Sequence, residues 1–282
     1  MSAAAPAAAH DAPPDLFALG DLVKRVALEE HAANRPAKTS RDTKPDGGWV
    51  TDLDRRIQER LLEELHRAWP GYGFIGEEMA HAEQSAVCES GAGYWVLDPL
   101  DGTTNFSSGF PFYGVSLALV ADGAAQLGVV FDPLRRECFC AQAGRGAYLN
   151  RRRLRRPPPR PLGECIAVVD HKYLVGNLSE RLVRSPPYRS QRNLGAAALE
   201  WCWLAADRAQ LYLHGGQKLW DFAAGWRILT EAGGAATSLS GKPLDCARLR
   251  KRSVVASAHA AALPGWERWV HANTASPQGS PL

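Results

Sequence analysis

Tyr94-Trp95-Val96-Leu97-Asp98-Pro99-Leu100-Asp101-Gly102-Thr103-Thr104-Asn105-Phe106 is an apolar run that stops at two carboxylates placed on either side of a proline. The run has the continuous hydrophobicity of a strand buried on both faces. Gly102 then suits a sharp turn, and Thr103-Thr104-Asn105 supplies the hydroxyls and amide that commonly open a helix. The expected order is strand, turn, helix. A turn of this kind brings oxygen ligands and backbone N–H groups to the same spot. Carboxylates and a carbonyl suit a hard cation such as Mg²⁺, and the N–H groups at a helix start suit phosphate.

Asp-Pro and Asp-Gly are also ordinary turn formers, so this stretch alone could be no more than a turn. Two other segments argue for a site. Phe74-Ile75-Gly76-Glu77-Glu78 ends a second short apolar segment on a pair of acids. Leu219-Trp220-Asp221 sets an acid at the start of an apolar stretch that closes at Glu231-Ala232-Gly233-Gly234. All three segments put their acids at element ends, where sites are built. Asp54 falls in the first turn of an expected helix, where the dipole alone would favour an acid.

On these motifs the chain resembles the inositol monophosphatase family of lithium-sensitive, Mg²⁺-dependent phosphatases. The resemblance rests on Gly76-Glu77-Glu78, Asp98 through Phe106, Trp220-Asp221 through Gly234, and Val50-Thr51-x-x-Asp54, and it spans residues 15–272. It implies an α/β fold, the layered α-β-α-β-α sandwich of the inositol monophosphatase and fructose-bisphosphatase type. It also implies hydrolysis of an inositol phosphate or a related small polyol or sugar phosphate, with two or three Mg²⁺ ions. Carried over residue by residue, Glu77, Asp98, the Leu100 carbonyl, Asp101 and Asp221 would hold metal. Asp54 and Thr103 would orient the attacking water, with Glu77 completing the catalytic set. Gly102 and Thr103 would bind phosphate. Gly195, Ala197, His214 and Asp221 would meet the substrate, with Arg192 helping to position the Gly195 segment. Four acids crowded together repel one another and favour protonation, so such a cluster calls for a cation.

Two positions sit less easily in the pattern. The family has a Lys-bearing loop before the second helix, and Lys44 is the nearest match, but Lys38 and Lys44 read more simply as solvated charge. Where the inositol phosphatases carry a Glu that accepts from substrate hydroxyls, this chain has His214. A neutral imidazole has one acceptor nitrogen and an imidazolium none, so the contact with a polyol cannot be the same. His214 would either donate to a second phosphate or carboxylate, or cap a strand end. Fructose-bisphosphatases, histidinol-phosphatases and nucleotide 3′-phosphatases share the central motif, while Asp-Gly-Thr-Thr-Asn-Phe leans towards the inositol branch. The alternative from another class is a regulatory, RNA- or transcription-associated binding protein that keeps the fold. The complete set of carboxylates favours the enzyme.

Composition agrees with a globular protein: 282 residues, 45% hydrophobic, carry a net charge of only +3. The length allows a substantial core, and the charge gives no reason to expect nucleic acid or a membrane as the main partner. No apolar run approaches the ~20 residues of a membrane helix. The Ala- and Pro-rich start has no basic n-region, so the expected compartment is the cytoplasm, and a homodimer is the expected assembly. Six cysteines contain no C-x-x-C pair and are read as reduced. Cys138 and Cys140 would share one strand face, which is more simply packing than a metal site.

The expected organisation is a tail at 1–14, an N-terminal half at 15–156, a C-terminal half at 157–272 and a flexible tail at 273–282. The boundary is drawn at the arginine-rich run from Arg151 to Arg160, read as a solvated loop. A helix is expected after Asp15, and a second from Thr51 along Ile57, Leu61, Leu65 and Trp69. An antiparallel meander follows over 113–121, 124–132 and 136–142. The second half alternates strands at 165–170, 189–194 and 210–213 with helices near 178–183, from Gly195 and after Trp220. Trp201 and Trp203 lie on different faces of the Gly195 helix, one face being a candidate dimer contact.

Overall fold

A computed structural model describes residues 14–33, 40–44, 47–155 and 158–274. The expected tails therefore lie outside the described residues except for Pro14 and 273–274, as do Lys38 and the boundary at 156–157. Asp15 Oδ1 accepts the Phe17 and Ala18 N–H groups at 3.1 and 2.8 Å and so caps helix α1, Leu16–Ala33. A hairpin of β1, Arg41–Thr43, and β2, Trp49–Thr51, leads into α2, Asp52–Ala68.

A seven-stranded sheet follows in sequence order. It consists of β3 (Gly73–Gly76), then β4 (Tyr94–Asp101) after helix α3 (His81–Glu89), and, after helix α4 (Thr103–Ser108), β5 (Gly114–Ala121), β6 (Ala124–Asp132), β7 (Glu137–Gln142), β8 (Gly146–Leu149) and β9 (Arg152–Arg153). Strands β3 and β4 are parallel and every other pair is antiparallel, so the expected meander is present. Asp122 and Gly123, at φ of 52° and 69°, make the two-residue turn between β5 and β6.

A second sheet of five strands, ordered β11-β10-β12-β14-β13, occupies the rest of the chain. Its strands are β10 (Ile166–Asp170), β11 (Ser190–Arg192), β12 (Leu211–Gln217), β13 (Ala235–Thr237) and β14 (Arg252–Ser257). Interspersed are α5 (Leu178–Arg184), α6 (Ala197–Ala205), α7 (Leu219–Glu231) and α8 (Leu263–Thr274). Strands β13 and β14 and helix α8 were not anticipated. They make the sheet mixed, because β14 runs antiparallel to both its neighbours.

Side-chain alternation gives the layers. Along β4, Trp95 and Leu97 join the apolar cluster with Leu53, Ile57 and Leu61 of α2 and Leu19 and Val23 of α1. Tyr94 and Val96 point the other way, into the cluster with α6 and α7. On the far side of the second sheet, Val169, Leu213 and Val255 pack on Leu178 and Trp266 of α5 and α8. The result is the five-layer α-β-α-β-α sandwich. No helix among the described residues is long and apolar enough to cross a membrane. Cys138 and Cys140 pack against α1, and a side chain at Gly20 would come 3.2 Å from the Cys138 sulfur.

Helix α7 lies unusually close to the large sheet. A Cβ at Gly128 would fall 2.6 Å from the Ala224 carbonyl oxygen, and one at Gly225 only 2.4 Å from Cβ of Trp201. Both glycines are needed for the middle layer to seat between the sheets.

Within α1, His31 stacks on Tyr113 at 5.3 Å and meets the edge of Phe106 at 5.5 Å, and its buried Nε2 has no hydrogen-bond partner among the described residues. Burial lowers its pKa to about 4. Because the fold prefers the neutral ring, the associated stability is complete above the unfolded value near 6.5 and is lost as pH falls towards 4. Relative to His31→Phe, wild type should lose about 2 kcal/mol of unfolding free energy between pH 7.5 and pH 5, measured by urea titration. Parallel pH dependence of the two proteins would show that His31 is not responsible.

Candidate active site

Strand β4 carries the central motif as far as Asp101, with an irregularity in its pairing to β5 between Asp98 and Asp101. Asp98 Oδ1 accepts the Leu100 N–H at 3.0 Å, which holds the carboxylate over its own turn. Gly102 follows at φ 90°, and any Cβ there would sit 3.1–3.2 Å from Ala196, Phe112 and Tyr113. Only glycine fits this turn. Thr103 then opens α4, whose first N–H groups have no acceptor within the helix.

The turn faces a cleft of about 200 Å³ lined by Glu77, Asp98, Leu100, Asp101, Gly102, Thr103, Gly195 and Asp221, together with Lys44 and Lys218. Glu77 directly follows β3, and Asp221 lies in the first turn of α7, where its carboxylate also accepts the Lys218 N–H at 2.7 Å. Burial, and then repulsion by Glu77 and other carboxylates, drives Asp98 well above the ordinary carboxyl range. Burial and Asp221 do the same to Asp101. Asp221 rises to about 7 through burial and Glu77, partly opposed by its bond to the Lys218 N–H.

Asp54 lies beneath this group, fully buried. One of its oxygens accepts from Thr51 N at 2.8 Å and from Thr51 Oγ1 at 2.5 Å. The other accepts from Thr103 Oγ1 at 3.1 Å, and the same hydroxyl is 2.9 Å from the Leu100 carbonyl oxygen. Burial raises Asp54 to about 6, against the bonds from Thr51.

Lys44 corrects the sequence reading. Its ammonium is not solvated charge: it bonds Glu77 at 2.9 Å and Glu78 at 2.7 Å. Burial favours the neutral amine, yet these two carboxylates more than offset it and raise the pKa above the usual lysine value. Lys218 Nζ stands 3.8 Å from the same Glu77 oxygen. The donors around the cleft are all oxygen, four carboxylates and the Leu100 carbonyl, which is the chemistry of a hard cation. Among the described residues no three His, Cys, Asp or Glu side chains are drawn tightly enough to enclose an ion as they stand. Glu77 instead holds the two ammonium groups. The donor set therefore fits Mg²⁺ in kind, with Lys44 and Lys218 meeting part of the negative charge.

The expected substrate contacts divide. Gly195 lines the cleft at φ 76°, and Ala197 opens α6 two residues later. His214 is not among the lining residues. Its Nδ1 accepts the Gly216 N–H at 3.0 Å, its Nε2 is 3.6 Å from Asp170, and burial lowers its pKa to about 4, so the ring is neutral and occupied within the second sheet. Arg192 is exposed and bonds Ser190 and the Gln191 carbonyl. The Gly195 segment is held by Glu200, which accepts the Leu194 and Gly195 N–H groups, each at 3.0 Å, and the Tyr212 hydroxyl at 2.9 Å. Glu200 was missed, although a lone acid in Ala-Ala-Ala-Leu-Glu-Trp-Cys-Trp-Leu-Ala is itself a signal. Asp101 adds a further tie by accepting the Ala198 N–H at 2.6 Å. Trp201 is fully buried and Trp203 packs on Phe112 at 5.0 Å, so both rings are engaged within the chain.

Comparison with known proteins gives the chain's relatives. The model of the inositol monophosphatase family matches residues 17–273. A Nus factor SuhB of Xylella fastidiosa is 36% identical over 211 residues, 68% of this chain and 70% of that protein. Inositol monophosphatase 1 of Sus scrofa is 32% identical over 222 residues, 75% of this chain and 78% of that protein. Among solved structures, an IMPase of Thermotoga maritima aligns with a TM-score of 0.77 at 27% identity, covering 92% of this chain and 98% of that one.

Proposed function

The chain belongs to the inositol monophosphatase family, and from that premise we propose that it hydrolyses the phosphate monoester of inositol or of a related small polyol or sugar, with Mg²⁺ as cofactor. The observation that carries this reading is the convergence of Glu77, Asp98, Asp101 and Asp221 with the start of α4 on one cleft. Carboxyls driven up by burial and by one another, as Asp98 and Asp101 are, mark a site that uses charge.

Glu77, Asp98, the Leu100 carbonyl, Asp101 and Asp221 would hold the cations. When bound, such ions offset negative charge on the attacking and departing oxygens. The protein's own groups do the rest. The N–H groups of Gly102 and Thr103 and the ammonium groups of Lys44 and Lys218 receive phosphate oxygens. An ionised Asp54 can only accept hydrogen bonds, so it draws the Thr103 hydroxyl proton towards itself. The lone pairs of Thr103 Oγ1 then take a hydrogen bond from a water and fix its position. That water oxygen bonds to phosphorus and gives up one proton, the ester P–O bond breaks, and the departing oxygen takes up a proton, leaving the free alcohol and inorganic phosphate. Glu200 keeps the Gly195 segment in place beside the substrate. The reading includes a cytoplasmic homodimer.

Hydrolysis of inositol 1-phosphate should require Mg²⁺ and be inhibited by Li⁺, which resembles Mg²⁺ in size but has half its charge. Undiminished turnover in excess EDTA would overturn the reading. The name of the Xylella relative, Nus factor, supports a second reading as a regulatory, RNA- or transcription-associated binding protein. Metal-dependent turnover separates the two.

A further inference from the structure

A second hollow, also of about 200 Å³, shares Lys218 with the carboxylate cleft. Trp220 and Leu249 supply walls that are almost entirely carbon, and His81, Arg250 and Lys251 stand at the rim. Among the described residues no Asp or Glu bounds it. The shared lysine borders both spaces: its ammonium lies 3.8 Å from Glu77 and 5.3 Å from the centre of the Trp220 ring. A molecule with its phosphate among the carboxylates and its alcohol portion passing Lys218 would enter this second space.

The walls decide what could follow the phosphate. A hydroxylated ring pressed against carbon loses water from each hydroxyl without gaining a partner, at about 1–3 kcal/mol apiece. A planar apolar ring is favoured there instead. A cavity of roughly 150 Å³ holds benzene, so this hollow has room for a ring and a small substituent. The cationic rim favours an anion on that substituent and disfavours an amine. Arg250 and Lys251 are exposed, Arg250 with a 3.7 Å contact to Asp245 and Lys251 over the Tyr173 ring at 4.3 Å. Both can turn to a ligand.

We propose that this hollow is a leaving-group subsite for phosphate monoesters whose alcohol bears a planar apolar ring with an anionic substituent. The assignment rests on the phosphatase reading above and extends its substrates beyond polyols.

The test compares 4-carboxybenzyl phosphate, 4-(aminomethyl)benzyl phosphate and glycerol 2-phosphate with Mg²⁺ present, in wild type, Leu249→Trp and Arg250→Ala. In wild type, kcat/KM for the carboxylate should exceed that for the amine at least tenfold. Leu249→Trp fills the hollow and should lower kcat/KM for the carboxybenzyl ester at least tenfold while leaving glycerol 2-phosphate within twofold. Arg250→Ala, a change at an exposed side chain, should narrow the carboxylate-to-amine ratio at least threefold. Equal losses on all three esters, or no loss with Leu249→Trp, would overturn the subsite. If wild type hydrolyses none of them and no inositol 1-phosphate either, the phosphatase reading falls. Calorimetry with 4-carboxybenzylphosphonate then decides the subsite alone: binding at least tenfold weaker in Leu249→Trp supports it, and equal or absent binding overturns it.

Discussion

Asp98→Asn is expected to lower kcat at least about a hundredfold, near 2.7 kcal/mol of transition-state stabilisation, without weakening the metal-free fold. The amide oxygen can still accept the Leu100 N–H that Asp98 Oδ1 accepts at 3.0 Å, so the turn should survive. The lost charge is another matter. Asp98 is buried and surrounded by Glu77, Asp101, Asp221 and Asp54, which together hold its pKa well above the ordinary value. For an acid with a raised folded pKa, ionisation destabilises the fold: the cost is absent below the unfolded pKa near 4 and grows as pH rises towards the folded value. Removing the acid removes that cost. In EDTA at pH 8 the melting temperature of Asp98→Asn should therefore equal or exceed that of wild type. A clear fall would mean that Asp98 also has a structural task.

Lys44→Met should behave in the opposite way. With the ammonium gone, Glu77 and Glu78 lose their bonds at 2.9 and 2.7 Å while their side chains remain only 15% and 12% exposed. Stranding one partner of a buried ion pair costs about 3–5 kcal/mol, and partial exposure brings the expectation here to about 2 kcal/mol in EDTA. Saturating Mg²⁺ should reduce the deficit to under ~1 kcal/mol, because a cation at Glu77 compensates the charge that lysine compensated before. Chemical denaturation with and without Mg²⁺ measures both values. A deficit that Mg²⁺ does not change would show that Lys44 acts only as a surface brace for the β1–β2 hairpin.

The sequence disclosed what depends on neighbours in the chain. Asp98 to Asn105 announces strand, turn and helix because each step is local: an apolar run, a residue free to take positive φ, and polar groups at a helix start. The layers came from the family resemblance and not from periodicity, although β5 and β6, apolar almost throughout, are strands that need cover on both faces. What escaped depends on distant partners. Lys44 looks like any surface lysine until the β1–β2 hairpin carries it to Glu77 and Glu78. Arg192 and Glu200 exchange roles because the Gly195 loop offers N–H groups, which need an acceptor and not a cation. His214 occupies the position expected of a substrate ligand, but the irregular pairing of β12 with β14 beyond it leaves the ring accepting from Gly216. Strands β13 and β14 carried too weak a local pattern among small and basic residues to be placed in advance.

The close seating of α7 also bears on how the protein assembles. Asp221 reaches the cleft only when the backbone of α7 settles against Gly128 of one sheet and α6 settles against Gly225, so no portion of the chain can prepare the complete site alone. The contacts that build it join positions remote in sequence, a kind of closure that comes late because its loop entropy must be overcome first. Cation capture by the complete donor set should thus appear as the last event of refolding, after the meander has formed its hydrogen bonds, and a nascent chain still lacking α7 would offer Mg²⁺ a site without Asp221.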